Sequence, residues 1–194
     1  MVAKGLNLPD VTLVGVLDAD LSLYNDSFRA AETTFNMLTQ VVGRAGRGDS
    51  PGQAVIQTLM PDHQVIRLAA KQDYDGFYDL EIQLRKMQNL PPFGDILTIT
   101  FIGQEETAVL RGAAKFRDSL IPWLKQLPDG EQFVLLGPAP CPVPKINYHF
   151  RYRLTLRGKL TKPLRGMIAH LLQQFSRDAL NRGVSAFADV NGFD

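Results

Sequence analysis

Two adjacent prolines, Pro91 and Pro92, divide the chain into two parts with different hydrophobic patterns. Proline cannot continue a helix and disfavours helical backbone at the residue before it, so no helix is expected to run through this pair. Before the prolines, short apolar runs alternate with amphipathic helical stretches. After them, strands outnumber helices. We therefore expect the chain before the prolines and the chain after them to fold differently.

The first part reads as α/β. Residues 11–20, VTLVGVLDAD, form a short apolar run ending in acidic residues, which is typical of a buried parallel strand. Residues 28–42 place apolar side chains three and four apart, which predicts an amphipathic helix. Residues 54–59 predict a second strand, so the order indicates a parallel crossover unit. Two strands do not make an adequate sheet, so the pattern favours a truncation at Met1 over a natural start.

The remainder reads as helices followed by a second sheet. Residues 63–71 and 74–87 predict two helices that end before the prolines. The later strands are predicted at residues 96–103, 133–140, 150–158 and 184–190. The later helices are predicted at 105–126, with an interruption at Pro122, and at 162–181. A proline-rich loop is expected after residue 140. The order β-α-β-β-α-β is that of a ferredoxin-like split unit.

Composition limits the classes of protein that the chain can represent. A single cysteine, Cys141, excludes an internal disulfide and a cysteine zinc cage. No apolar run approaches the roughly 18 residues of a membrane span, and the first residues lack the layout of a secretory signal. We expect a cytoplasmic protein without a membrane partner. Residues 132–177 contain eight Lys and Arg and no Asp or Glu, a segregation that favours a polyanion-facing surface.

Residues 39–50, TQVVGRAGRGDS, contain two Gly-Arg pairs where the amphipathic helix runs out. A basic helix end followed by glycine explains one pair but not two. In helical or tight-turn backbone, Arg44 and Arg47 point to one side, and Gly43 and Gly46 let a neighbouring lobe approach. Arginine suits phosphoryl transfer because it stays charged and donates a planar set of hydrogen bonds. The pattern favours nucleotide contact, with the basic helix end as the alternative.

Residues 150–158, FRYRLTLRG, alternate strictly between polar and apolar side chains. On a strand, Arg151, Arg153 and Arg157 therefore project to one side. The core-facing residues are Tyr152, Leu154 and Leu156. A row of arginines suits sequence-independent contact with DNA phosphates. Ring-bearing residues that could stack on bases stand nearby, namely Tyr148, His149 and Phe150. The alternative is a solvated polar strand face.

Several segments resemble a known family of proteins. QVVGRAGR resembles motif VI of superfamily-two helicases, and AKGLNLP at residues 3–9 resembles the end of motif V. LDADLSLYNDSFRAAE, FYDLEIQLRKMQNLPPFG, LGPAPCPVPKINYHFRYRLTL and the closing ADVNGFD resemble the C-terminal portion of the primosomal replication-restart helicases, the PriA or primosomal protein N′ family. The resemblance covers essentially the whole chain.

The resemblance implies a DNA-dependent ATPase that unwinds in the three-prime to five-prime direction at stalled forks and helps load the replicative helicase. It assigns the motif VI arginines, Arg44 and Arg47, to the γ-phosphate across a lobe interface. The other nucleotide-binding positions that it implies are Gln40, Gly43, Gly5 and Asn7. Lys4, in motif V, would link the nucleotide site to DNA. Asn7 departs from the family's usual Asp and loses its charge, and Leu6 stands where His is more usual.

The implied fold class is α/β, the C-terminal part of a RecA-like helicase lobe followed by a ferredoxin-like accessory domain. The implied divisions are residues 1–62 for the lobe, 63–94 for a helical connector and 95–194 for the accessory domain.

The resemblance also implies which groups other parts of the family supply. ATP and Mg²⁺ would bind in the full-length protein, but the chain has no Gly-x-x-x-x-Gly-Lys-[Ser/Thr] loop, and the family's zinc module is absent. We therefore expect the chain alone neither to hydrolyse ATP nor to unwind DNA. The implied partners are branched or single-stranded DNA, the rest of the helicase chain, primosome loading proteins and single-strand-binding protein.

A second hypothesis belongs to a different class. The chain would be a non-enzymatic nucleic-acid or protein-docking module that carries a vestigial α/β segment. The motor hypothesis predicts that residues 1–60 are poorly stable alone, whereas the module hypothesis predicts that they protect their amides from exchange.

Other candidate residues carry weaker signals. Asp18, Asp20 and Asp26 follow the first strand, where polar residues are routine, so a structural or interlobe role is favoured. The three histidines are scattered along the chain and predict no metal site. Trp123 is expected to lie in the core.

Overall fold

The computed structural model of the chain describes residues 11–45, 52–126 and 133–192. The chain divides into two compact units, residues 1–84 and 85–194. The boundaries expected at residues 62 and 94 remain predictions.

The first unit is a small α/β arrangement. Strands β1 (Leu13–Val16) and β2 (Gln53–Ile56) pair in parallel. Helix α1 (Ala30–Val42) joins them and contacts both strands, as the strand-helix-strand pattern predicts. Helices α2 (Gln64–Ala70) and α3 (Tyr74–Met87) follow, and α3 extends into the beginning of the second unit.

A compact apolar cluster holds the helices of the first unit together. Phe35 of α1 stacks on Phe77 of α3 with their ring centroids 4.1 Å apart. Leu38 of α1 and Ala69 of α2 are fully buried in the same cluster. The spacing of Phe35 and Leu38 puts both on the inner face of α1, because residues three apart in a helix are neighbours.

The second unit follows the predicted order β-α-β-β-α-β. Its strands are β3 (Asp95–Gly103), β4 (Val134–Ile146), β5 (His149–Gly158) and β6 (Val184–Val190), and its helices are α4 (Glu106–Gln126) and α5 (Lys162–Arg177). The sheet has the order β4-β5-β3-β6, and every neighbouring pair is antiparallel. A short 3₁₀ turn, Ala179–Asn181, follows α5 where the sequence predicts a longer helix.

Both helices of the second unit pack on one face of this sheet. Phe101 of β3, Phe116 of α4 and Phe175 of α5 meet edge to face, with ring centroids 5.4 to 6.1 Å apart. Gly112 permits the close approach of α4 to α5, because a side chain there would meet the Phe175 ring at 3.1 Å. Leu154 and Leu156 of β5 belong to the same core, as the alternation in FRYRLTLRG predicts.

Three further details differ from the sequence expectations. The segment predicted to become a proline-rich loop after residue 140 continues as strand β4 to Ile146. Proline is tolerated there because β4 is an edge strand with irregular register, where a missing N–H breaks few ladder bonds. Helix α4 continues through Pro122, at which the sequence predicts an interruption. Trp123 is 50% exposed and does not lie in the core, because it stands on the outer side of α4.

Candidate nucleic-acid interface

Strand β5 presents its arginines on the sheet face opposite the helices. Leu154 and Leu156 are buried in the core, and successive residues of a strand alternate between faces. Arg151 and Arg153 are half-buried and Arg157 is exposed. We call the face formed by Arg151, Arg153, Thr155 and Arg157 the basic sheet face. In the described part of the second unit, no helix packs against it.

Neighbouring strands surround the arginines with hydroxyl and apolar side chains. Across β3, Arg151 pairs with Ile102, Arg153 with Thr100 and Arg157 with Ile96. Thr155 pairs with Thr98 of β3. On the other side of β3, Thr98 pairs with Asp189 of β6. Because β5 lies between β4 and β3, the arginines stand on the surface of the sheet and not on an edge strand.

The tight turn between β4 and β5 lies at one end of this face. Ile146 pairs with His149, which leaves Asn147 and Tyr148 as the two turn residues. Both have positive φ, 49° and 63°. Tyr148 is 84% exposed. The His149 Nδ1 atom lies 2.8 Å from the backbone oxygen of Asn147.

Lys145 stands on the strand that enters this turn. Its Nζ atom lies 4.2 Å from the centroid of the Phe150 ring on the strand that leaves it. A cation over an aromatic ring is an attractive arrangement that keeps the charge near the surface. Phe150 has the same strand parity as Leu154, so this cation lies at the turn end of the sheet but on the side opposite the arginine row.

The candidate nucleotide residues of the first unit lie around the end of α1. Gln40 is exposed on the last turn of α1. The helix ends at Val42, and the N–H of the following Gly43 donates to the Thr39 oxygen. The backbone N–H of Arg44 donates to the Val41 oxygen at 3.1 Å, so the turn continues beyond the helix, and Arg44 is half-buried. Arg47, Lys4, Gly5 and Asn7 lie outside the described residues. The joint placement of Arg44 and Arg47 therefore stays a prediction.

Asp20 joins the two strand ends of the first unit. Its carboxylate accepts a hydrogen bond from the Thr58 hydroxyl at 2.5 Å and one from the Leu59 N–H at 2.6 Å. These hydrogen bonds, followed by the nearby His63, hold the pKa of Asp20 below its usual value. Asp20 is almost fully buried. The favoured structural role is therefore confirmed for Asp20.

The contact between Asp20 and Thr58 was not among the features predicted from the sequence. A signal for it was present, because Asp20 and Thr58 each follow one of two parallel strands, and the carboxyl ends of such strands meet at one edge. Among the described residues, no group of three or more His, Cys, Asp or Glu side chains is arranged to hold a metal ion.

The fold and this face define a two-unit α/β protein with an open, basic antiparallel sheet surface. The family described as primosomal protein N C-terminal domain matches residues 86–191, more than half of the chain. The chain therefore belongs to the PriA family and carries its C-terminal domain.

Individual relatives agree with this membership. The chain is 37% identical over 193 residues to the replication restart protein PriA of Bacillus subtilis, which covers 100% of the chain and 23% of the relative. It is 38% identical over 160 residues to PriA of Synechocystis, covering 81% and 18%. It is 35% identical over 172 residues to PriA of Chlamydia pneumoniae, covering 89% and 22%. The chain thus spans less than a quarter of the length of these relatives.

Each helix among the described residues is too short or too polar to cross a lipid bilayer.

Proposed function

We propose that the chain is the C-terminal portion of an ATP-dependent three-prime to five-prime DNA helicase that restarts stalled replication forks and helps load the replicative helicase. Its relatives carry the name replication restart protein PriA. On this proposal the first unit belongs to a RecA-like motor lobe, and the second unit is a ferredoxin-like accessory domain that holds DNA. The protein acts in the cytoplasm, with the loading proteins and single-strand-binding protein as its protein partners.

The basic sheet face carries the DNA part of the proposal. Three arginines lie on an inner strand, and the helices occupy the other side of the sheet. Arginine and lysine bind DNA phosphates by releasing counterions, so affinity falls as salt rises. Because this contact reads the backbone and not the bases, the face would accept DNA of any sequence, as fork restart requires.

Salt-dependent binding tests this assignment. Changing Arg151, Arg153 and Arg157 together to Ala should weaken binding to a fluorescently labelled single strand. It should also flatten the plot of log affinity against log salt by about two units, since each lost phosphate contact contributes about 0.7 on a single strand. Fluorescence anisotropy at several salt concentrations measures both quantities.

A matched control removes the same charge from the helix side. Arg111, Arg117 and Lys125 lie on the outer surface of α4, away from the basic sheet face. Their joint change to Ala should leave the salt slope within experimental error. If the two triple variants lose equal affinity, the sheet face has no special role and the assignment fails.

The motor part of the proposal concerns the first unit. Arg44 and Arg47 would reach the γ-phosphate of ATP that is bound mainly by another lobe. The residues near the nucleotide would be Gln40, Gly43, Gly5 and Asn7. Lys4 would face DNA. In the full-length protein, Arg44→Ala or Arg47→Ala should lower DNA-stimulated ATP hydrolysis by about 10³-fold or more, because arginines in this role contribute about 10³–10⁵ in turnover. DNA affinity should stay nearly unchanged. A parallel fall in DNA affinity would contradict the assignment.

A second candidate function is a binding module without a motor. The core of the second unit favours it, because residues of that unit alone form an apolar core between the helices and the sheet. The chain alone should show no ATP turnover under either hypothesis. Only the motor hypothesis requires Arg44 for ATP turnover in the full-length protein, so the arginine variants separate the two.

A further inference from the structure

We propose that Tyr148, at the turn between β4 and β5, stacks on an unpaired base of a DNA strand whose backbone follows the basic sheet face. This inference rests on the proposed function, because it assumes that the face holds DNA. It adds the kind of DNA that the site selects, a strand with exposed bases, and the side chain that selects it.

The backbone of this turn gives the first reason. A two-residue turn between antiparallel strands needs positive φ at both central positions, and Asn followed by Gly is the favoured pair. Asn147 fits that preference. Tyr148 has φ 63° at the position that favours glycine. A bulky side chain in the left-handed region is strained, and such outliers concentrate at functional sites.

Exposure gives the second reason. Tyr148 is 84% exposed, so its ring contributes little to the core of the second unit. Glycine at this position would relieve the strain and remove an exposed aromatic ring. A tyrosine that is unfavourable in both respects needs a contact outside the unit to explain it, and an exposed ring can provide a stacking surface.

The charge of the segment that contains the turn points to nucleic acid as the occupant. Residues 132–177, which include both strands and the turn, contain no Asp or Glu. Lys145 lies beside the turn, and Arg151 begins the arginine row three residues after Tyr148. A polyanion that follows the arginines would therefore reach Tyr148, about 10 Å away at 3.3 Å per strand residue.

Stacking distinguishes a single strand from a duplex. In a duplex the faces of the bases are covered by their neighbours, except at an end or a junction. Proteins that bind single strands without sequence preference combine a positive surface with aromatic side chains on which bases stack. The basic sheet face with Tyr148 at its end has this combination, so we expect it to prefer a single strand or the unpaired strand at a fork over continuous duplex.

Oligonucleotides with and without bases test the stacking directly. The probes are a thymidine oligomer of about 16 nucleotides, the range of known single-strand sites, and an abasic oligomer of the same length. The chain should bind the thymidine oligomer about tenfold more tightly, as the loss of one base stack predicts. Tyr148→Ala should reduce this preference to near unity, and Tyr148→Phe should retain it.

The salt dependence separates the two proposals. Tyr148→Ala removes no phosphate contact, so its salt slope should equal that of the unmodified chain, unlike the slope of the triple arginine variant. If the arginine variant weakens binding but Tyr148→Ala does not, the stacking proposal fails and the proposed DNA face survives. If neither variant changes binding, both proposals fail, and an aromatic contact with a protein partner becomes the better explanation of Tyr148.

The thermal midpoint of unfolding distinguishes a binding role of Tyr148 from a structural role, because the two roles predict opposite effects of substitution. Tyr148→Gly places the favoured residue in the turn, so the thermal midpoint should stay the same or rise. Affinity for the thymidine oligomer should nevertheless fall to that of Tyr148→Ala. A fall in the midpoint would show that the ring stabilises the fold, and would overturn the proposal.

Discussion

The two units differ in how completely their sheets are covered. In the second unit, two helices cover one face of a four-stranded sheet, and Ile99, Phe101 and Leu154 are fully buried beneath them. In the first unit, the two parallel strands leave Leu13 and Val55 exposed, and Leu59, which follows β2, is 87% exposed. Parallel strands are normally buried on both faces. The first unit therefore has apolar strand surface suited to further contacts. The second unit encloses an apolar core between its helices and its sheet, although Leu136 and Phe187 on the opposite face of that sheet are also exposed.

The largest expected effect tests the completeness of the second core. Phe101→Ala should lower the free energy of unfolding of the second unit by about 3–5 kcal/mol, because it removes a large side chain at the meeting point of three rings. Urea unfolding followed by the fluorescence of Trp123 measures this change. Trp123 is the chain's single tryptophan and belongs to the second unit, so the signal reports on that unit.

The control for this prediction is Leu110→Ala, on the exposed side of α4. It should change the same free energy by no more than about 0.5 kcal/mol, as most surface substitutions do. A loss of less than about 1 kcal/mol for Phe101→Ala would mean that the core is loosely packed, and the contrast between the units would disappear.

The next prediction compares the backbone of the two sheets directly. Amides of β1 and β2 should exchange with solvent at least about tenfold faster than those of β3 and β5, since local opening requires less free energy where few apolar contacts must break. Hydrogen exchange followed by mass spectrometry on the chain resolves the four strands. Equal protection of all four would favour the binding-module hypothesis, in which residues 1–60 form a stable structure without a motor lobe.

A third prediction uses acid to separate the units. The pKa of Asp20 is lowered by its hydrogen bonds from Thr58 and Leu59, and the pKa of Asp178 by its contact with Lys115, which is 2.6 Å away. A lowered pKa stabilises the fold above the usual value of 3.8, and that contribution is lost as the pH falls through the folded pKa. Both units should therefore lose stability in acid below that value.

Single substitutions assign the acid effect to each unit. Asp20→Asn should reduce the acid dependence of the first unit only, and Asp178→Asn that of the second only. The amide signals of Leu59 and Leu180, followed by NMR across the acid range, report on the two sites. If Asp20→Asn leaves the acid response of Leu59 unchanged, the carboxylate does not link the two strand ends as the structure indicates.

Local pattern predicted regular elements well and failed where the backbone depends on distant partners. Residues 184–190 predicted strand β6 and residues 74–87 predicted helix α3, because each prediction depends only on the residues of that element. The prolines of β4 predicted a loop, and only the edge position and the irregular pairing with β5 make a strand acceptable there. Such pairing is a property of the assembled sheet.

The candidate nucleic-acid interface was also predicted only where its features depend on a single element. Alternation alone placed the three arginines on one face of β5, and the structure confirms their placement opposite the core. The exposed, left-handed Tyr148 could not be predicted, because the turn contains no glycine to mark it. The register between Ile146 and His149 determines its conformation. The hydrogen bonds of Asp20 could not be predicted without knowing which strands are neighbours.

The smallest expected effect appears in alkali and concerns the second unit. The hydroxyl of Tyr152 donates a hydrogen bond to Glu106 Oε1 at 2.7 Å, and this bond, with partial burial and the carboxylate charge, raises the pKa of Tyr152 above 10.0. A raised pKa gives stability that is fully present below the ordinary value and is lost as the pH rises through the folded pKa. Tyr152→Phe should therefore weaken the alkaline loss of stability in the second unit, and Glu106→Gln should move the ultraviolet titration of Tyr152 toward the ordinary tyrosine range.

Tyr148→Phe, which changes a tyrosine in the turn, is the matched control and should leave the alkaline stability unchanged. An unaltered alkaline profile in Tyr152→Phe would show that the link between β5 and α4 is absent in solution, and that the core is closed by its apolar contacts alone.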